Sequence, residues 1–452
     1  MKRKILMTIL LSVNILASLL TPAYAEPTVS DTENTASQTT VTDTSPAPHA
    51  EAAILLDMKS GKVLYSKNEN EKMYPASITK IMTAILTLES GIDFSEVVTA
   101  TEEAITPITN KHSHMGILVG ENLTIENLIY GMMVYSANDA ANVLAVRVGG
   151  SLDGFVQMMN DKAAELGATN THFVNAHGFH DDNHYTTASD IATIAKYAMQ
   201  NETFREIVKT DIYTMEATNK YNEARYLSST NHLISRRRQV KYYYDKAIGI
   251  KTGYTDESGY CLASAAVDGE TELLSVVLNC HNIVDGESGL YSFIDSKSLL
   301  EYGFNNFKYI TIASNGTVLA DSSVYEAKDN IRVTLTPQND ICNILPVDID
   351  MDEVKSETVL NEKICAPIKK GDILGSVTYT YQGEQIGTSS LVAVNDVEKD
   401  YIIAAIHTVI KTITHPVFIV LLLIILYLRF TAKNRQKKRR KNRRSKLKHV
   451  RQ

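Results

Sequence analysis

The sequence predicts an α+β domain, an antiparallel sheet covered by helices, followed by a small all-β domain and a C-terminal membrane segment. Three observations carry that prediction. Strand-like stretches open and close residues 49–307, while helical periodicity fills the middle. From Lys308 to Val397 the texture changes to short Val-, Ile- and Thr-rich stretches split by Asn, Asp, Gly and Pro. An unbroken apolar run, Val417 to Leu428, is followed by a tail crowded with Lys and Arg. A chain of 452 residues, 44% of them apolar, has material for two cores plus tails, at roughly 100–200 residues per domain.

Residues 1–25 read as a secretory signal. Lys2, Arg3 and Lys4 precede a mostly apolar stretch, and Ala23-Tyr24-Ala25 fits a cleavage site. An uncleaved anchor helix is the alternative. Residues 26–48 are rich in Thr, Ser, Asp, Ala and Pro and almost lack large apolar side chains. They cannot bury enough surface to offset ordering entropy, so a flexible linker is expected.

Within residues 49–307, Ala52 to Asp57 and Lys62 to Ser66 read as a hairpin around Met58-Lys59-Ser60-Gly61. A helix follows Pro75, with Ile78, Ile81, Met82 and Ile85 on one face and Gly91 at its end. Helices are expected over Thr124–Tyr135, Asp139–Val148 and Ser151–Leu166, the last capped by Ser151 and stopped by Gly167. Another runs over Thr187–Gln200, with Asp190 in a capping-box position. Strands return at Ala247–Lys251, Tyr260–Val267 and Glu272–Leu278, and Gly289–Phe304 closes the domain as a helix. Residues 308–397 form the small β domain and carry no chemical constellation.

In residues 398–414, Ile402, Ile403, Ile406, Val409, Ile410 and Ile413 recur at helical spacing, an amphipathic helix. Residues 415–430 are the span, short against the about 20 residues a bilayer needs, with Arg429 placed to snorkel. Residues 431–452 are a basic cytoplasmic tail, because Lys and Arg after a span mark that side. A helix lying in the membrane surface is the rival reading. The net charge of -7 hides this segregation: without the tail the body is strongly acidic, which argues against nucleic acid as a partner. The four cysteines form no C-x-x-C pair. A Cys342–Cys365 disulfide stays open, since spacing does not fix connectivity.

Three short motifs carry chemistry. Ser77-Ile78-Thr79-Lys80 sits at a helix start, where residues three apart share a face, so Lys80 can reach the Ser77 hydroxyl. A lysine takes that proton only if burial or a neighbouring positive charge lowers its pKa. Ser136-Ala137-Asn138, between two helices, offers a hydroxyl and an amide, although a helix cap would look the same. Lys251-Thr252-Gly253 ends a strand-like stretch. It offers a charge for a substrate carboxylate, a hydroxyl, and a glycine that admits a ligand close to the backbone.

Together and in order, these motifs form the set of penicillin-binding proteins and class A β-lactamases. The stretches Pro75–Ala84, Ser136–Ala141, Asn170–Asn175 and Gly249–Thr255 resemble the low-molecular-mass penicillin-binding proteins, serine-type D-alanyl-D-alanine carboxypeptidases. The resemblance covers Ala52 to Phe307 and implies a β-lactamase/transpeptidase-like fold. By position it implies Ser77 as nucleophile, Lys80 as its base, and Ser136 as a third catalytic residue. It places Asn138, Lys251, Thr252, Gly253 and Tyr254 on the substrate, with the backbone N–H groups of Ser77 and Tyr254 as oxyanion hole. The implied partners are the peptidoglycan stem peptide and β-lactams; no cofactor or metal is implied. The sequence departs from the family at Ala137, where glycine is frequent, a methyl expected to tighten the site.

His177, His180, Asp181, Asp182 and His184 crowd one loop and raise a metal site as a rival. A class A β-lactamase would need a deacylating glutamate in its later loop; Glu165 falls in a helix instead. A DD-endopeptidase or transpeptidase would use the same residues. A silent wall-binding scaffold would not need the intact motif set.

Overall fold

The computed structural model describes residues 45–449 except 110, 112, 285 and 286. The expected signal, residues 1–25, and most of the expected linker lie outside the described residues. The linker is shorter than expected at its C-terminal end. Ala47 is fully buried, and Lys67 Nζ donates to its carbonyl at 3.2 Å.

A five-stranded antiparallel sheet organises the first domain. Its strands are β1 (Ala50–Asp57), β2 (Val63–Lys67), β3 (Ala247–Thr255), β4 (Gly259–Asp268) and β5 (Thr271–Cys280), in the spatial order β2-β1-β5-β4-β3. The chain therefore leaves the sheet after β2 and returns at its far edge. Between lie α1 (Lys80–Glu89), α2 (Ile125–Val134), α3 (Asn138–Gly149), α4 (Leu152–Glu165), α5 (Ala188–Ala198) and α6 (Glu202–Val208). They bury Ile81, Ile85, Leu128, Met132 and Leu144 against Ile54, Leu56, Val276 and Leu278 of the sheet. Helix α7 (Tyr291–Asn306) covers the other face, where Leu299 and Leu300 meet Leu55, Leu262 and Val277. Burying each such side chain stabilises by about 1.5–3 kcal/mol, which is why the strands run nearly continuously apolar.

Helix ends follow the expected chemistry with one change. Ser151 and Thr187 accept hydrogen bonds from Gly154 N and Asp190 N as N-caps. Asp190 does not complete a capping box. Its carboxylate accepts from Asn170 N and the Thr171 hydroxyl, both at 2.8 Å, and so ties a loop to the helix instead.

The second domain holds β6 (Phe307–Ala313), β7 (Ala320–Ser323), β8 (Arg332–Pro337), β9 (Ile341–Pro346), β10 (Lys355–Leu360), β11 (Ile373–Tyr381) and β12 (Glu384–Ala393). They form a pair, β6-β9, and a sheet ordered β7-β8-β12-β11-β10 around Val333, Leu335, Val377 and Leu391. The four cysteines are free, so the open Cys342–Cys365 pairing is not made. Asp400 caps α8 (Tyr401–Thr414) through Ile402 N and Ile403 N. Pro416 opens α9 (Pro416–His449), a position where its missing N–H costs nothing. This helix does not stop at Phe430, as the expected span does, but runs on through the basic tail. Its first part is long and apolar enough to cross a membrane.

Candidate active site

The nucleophile motif folds as a 3-10 turn, Ala76–Thr79, that feeds directly into α1. In such a turn residues i and i+3 eclipse, which brings Lys80 Nζ to 2.8 Å from Ser77 Oγ. Lys80 is wholly buried and donates to the His177 carbonyl at 2.8 Å. Its pKa is held well below the ordinary range, first by burial and then by the charge of Lys251, with Asp139 opposing. Lys251, also buried, is pushed down to about 7 by burial alone. Burial therefore lowers both lysines, and on Lys80 the charge of Lys251 adds to it.

The Lys-Thr-Gly motif does not end its strand. β3 continues to Thr255, so the motif lies inside the edge strand of the sheet, whose outward N–H and C=O groups are open to a ligand. Gly253 is needed for its closeness to the turn: a Cβ there would lie 3.0 Å from the Pro75 carbonyl oxygen and 3.1 Å from Ser77 N. Lys251 Nζ donates to the Thr252 carbonyl at 3.0 Å. The Thr252 hydroxyl stands 2.6 Å from that of Thr230, a partner that no motif signals.

Ser136 holds a left-handed backbone, φ 69°, and is buried on the cleft wall. No side chain caps α3 at Ala137, so the capping explanation for Ser-Ala-Asn falls away. Ala137 is fully buried, and its methyl faces the core rather than tightening the site. Asn138, the first residue of α3, has a buried Oδ1 with no hydrogen-bond partner. Such an orphan costs about 1–3 kcal/mol unless a ligand satisfies it.

The His-rich loop braces the nucleophile instead of gathering around an ion. Thr83 donates to the Ala176 carbonyl at 2.6 Å, beside the Lys80–His177 bond. Gly178 packs so closely that a Cβ would meet the Ala76 carbonyl oxygen at 1.8 Å. His180 lies edge-on to Tyr74 at 4.6 Å and 3.4 Å from Asp182. Among the described residues no group of three His, Cys, Asp or Glu converges on a metal position. His184 accepts from Val174 N at 3.1 Å through Nδ1, so its Nε2–H donates to the Thr79 hydroxyl at 2.8 Å. Burial lowers its pKa to about 3. The unfolded chain binds that proton first, so the His184 contribution is whole above pH 6.5 and is lost as pH falls from 6.5 toward 3. Between pH 7 and 5 wild type should lose about 1–2 kcal/mol more unfolding free energy than His184→Asn. Parallel losses in urea unfolding curves would refute that role.

Two hollows of about 410 and 520 Å³ meet at Ser77, Lys111, Ser113 and Tyr254. The first holds Ser136, Thr230, Thr252 and Gly253, and the second Asn138, Gly178, Asp256 and Glu257. Glu165 lines neither; it is exposed at the end of α4 and pairs with Lys162 at 2.9 Å. The cleft thus gathers Ser77, Ser136, Asn138, Thr252, Gly253 and Tyr254 on its walls, with the two buried lysines beneath.

An antiparallel sheet with helices on both faces, and a Ser-Lys pair at its open edge, defines the β-lactamase/transpeptidase-like class. The family described as D-alanyl-D-alanine carboxypeptidase matches residues 38–282, and that described as penicillin-binding protein 5, C-terminal domain, matches residues 307–399. The D-alanyl-D-alanine carboxypeptidase DacF of Bacillus subtilis is 32% identical, over 78% of this chain and 87% of its own. DacA of Escherichia coli K12, with the same description, is 29% identical over 82% and 90%. Penicillin-binding protein 5 of Haemophilus influenzae superposes with a TM-score of 0.60 at 28% identity, over 78% of this chain and 98% of that one. The DD-transpeptidase of Streptomyces K15 superposes at 0.53 and 32% identity, over 58% and 99%. The chain belongs to the D-alanyl-D-alanine carboxypeptidase family of serine peptidases.

Proposed function

We propose that this enzyme removes the terminal D-alanine from peptidoglycan stem pentapeptides through an acyl-enzyme on Ser77. The observation that carries this reading is the 2.8 Å approach of a buried Lys80, whose pKa that burial lowers, to Ser77 at the junction of the two hollows. Lys80 Nζ takes the Ser77 proton as Oγ bonds to the carbonyl carbon of the penultimate D-alanine. The backbone N–H groups of Ser77 and Tyr254 hold the oxygen on which charge develops; losing one such donor costs about 100- to 1,000-fold in rate. The C–N bond then breaks, and a proton passed through Ser136 lets D-alanine leave as the free amine. Water hydrolyses the ester and restores Ser77. Asn138 supplies its orphaned Oδ1 to a substrate amide. Lys251 and Thr252 hold the terminal carboxylate, with Thr230 fixing the Thr252 hydroxyl. A β-lactam acylates the same oxygen and leaves slowly.

The first helical part of α9 crosses the membrane, with the catalytic domain outside and the basic tail in the cytoplasm. This follows from the excess of Lys and Arg after the span; a protease that digests the tail from outside intact cells would overturn it.

The full chain in detergent, incubated with a pentapeptide ending in D-Ala-D-Ala, should release free D-alanine. Retained penicillin labelling without release would point to cross-linked wall as substrate, the DD-endopeptidase or transpeptidase reading that the Streptomyces K15 likeness favours. A further expectation concerns Lys251. If its protonated form holds the carboxylate, kcat/KM declines on the alkaline side as Lys251 is neutralised. Arginine stays protonated, so Lys251→Arg should move that limb upward in pH; an unmoved limb would remove Lys251 from the carboxylate site.

A further inference from the structure

We infer that Asp139 is a positioning residue for acylation: its carboxylate fixes residues 113–117 on the rim of the cleft and sets a negative charge facing the buried amine of Lys80. Asp139 lines neither hollow, so it acts through its neighbours and not on the substrate. The charge role rests on Lys80 as the base of Ser77, the reading given above.

The carboxylate is engaged on both oxygens. Asp139 follows Asn138 in the first turn of α3 and is buried. Each oxygen accepts from Met115 N at 3.2 Å, Oδ2 also from Ile117 N at 2.9 Å, and Oδ1 also from Ala140 N at 2.9 Å. Its donors are therefore backbone N–H groups. Such donors, and the start of a helix, suit an anion.

The segment it holds is the one that meets the nucleophile. Met115 and Ile117 bury their side chains in the core, Gly116 between them takes φ 79°, and both N–H groups reach Asp139. The Ser113 carbonyl accepts from Asn138 N at 2.8 Å, and Ser113 lines both hollows beside Ser77. On its outer side the segment is gripped by the hairpin of Ile212–Met215 and Arg225–Ser228. The Tyr221 hydroxyl donates to the Gly116 carbonyl at 2.6 Å, and Arg225 donates to the Met115 carbonyl at 3.2 Å. Asp139 thus ties Asn138, Ser113 and the cleft rim into one unit.

The same carboxylate acts at Lys80 through space. Lys251, on β3, is the cation that opposes protonation of that amine, and Asp139, on α3, is the anion that favours it. His184, on the loop beside α1, is kept neutral by burial, with a pKa of about 3. His177, whose carbonyl accepts from Lys80, has its own Nδ1 taken by Phe179 N at 3.2 Å. Buried charges need a partner, and one carboxylate facing two buried amines balances one proton between them. Asp139 therefore sets the pH at which Lys80 gives its proton up.

The test is the pH dependence of penicillin acylation by the full chain in detergent. Acylation needs Lys80 unprotonated, so the rate falls on the acid side as Lys80 gains a proton. Without the anion that proton is harder to gain, so in Asp139→Asn the acid limb should move down by about one pH unit, the scale of losing one nearby opposite charge. Its plateau should fall about 10- to 100-fold, because the amide turns a donor toward N–H groups that need an acceptor and the rim shifts. Tyr221→Phe loosens the same segment from outside and leaves the charge, so it should lower the plateau less and leave the limb in place. An unmoved limb in Asp139→Asn would overturn the charge role, and an undiminished plateau the hold on the rim. Should that variant not fold, Asp139→Glu decides: the charge on a longer arm should keep the limb and lower the plateau, and the reverse pattern would overturn the inference. A wild type with no acid limb would overturn Lys80 as the base, and the inference with it.

Discussion

Ser77→Ala leaves a folded protein that forms no covalent adduct with penicillin and releases D-alanine at least about 10⁴-fold more slowly, the scale on which loss of a serine nucleophile registers. The reason is local. Ser77 is the cleft hydroxyl that meets a buried lysine amine, 2.8 Å away. Removing one oxygen leaves the 3-10 turn, the buried Lys80 and its bond to the His177 carbonyl in place. Mass spectrometry of the penicillin-treated variant reads the result directly. An adduct of undiminished stoichiometry on the variant would move the nucleophile elsewhere, with Ser136 next in line on the same wall.

Much of this site is legible in the sequence because its chemistry needs particular residues at fixed local spacing. Ser77 and Lys80 are three apart, and Lys251, Thr252 and Gly253 are consecutive. What the sequence hides is contact between distant segments. Nothing near Thr230 announces its hydroxyl beside Thr252, and the signal that might have found it is only the proximity that folding creates. The loop from His177 to His184 reads as a metal candidate because histidine and aspartate cluster in number. The structure spends His184 on Thr79 and the His177 carbonyl on Lys80, contacts 105 and 97 residues apart in the chain. The overextended helix α9 has a different cause. Apolar character ends near Phe430, but Lys and Arg are good helix formers, so backbone hydrogen bonding carries the helix onward.

Lys80→Arg separates two jobs that Ser77→Ala cannot. Arginine is effectively always protonated, so it cannot take the Ser77 proton. Acylation should fall about 10²–10⁴-fold, the span that general-base catalysis contributes. The larger guanidinium also enters a closed pocket, where overpacking costs about 1–3 kcal/mol, and a lost rate alone would not tell chemistry from strain. Lys80→Met resolves this. It keeps an unbranched side chain in the pocket, carries no charge to desolvate, and removes the base just as completely. The chemical role therefore predicts that both variants lose acylation to a similar degree while Lys80→Met retains the better thermal stability. Near-normal penicillin acylation in Lys80→Met would show that no amine is needed at the helix start, and the proton of Ser77 would then have to leave by way of Ser136.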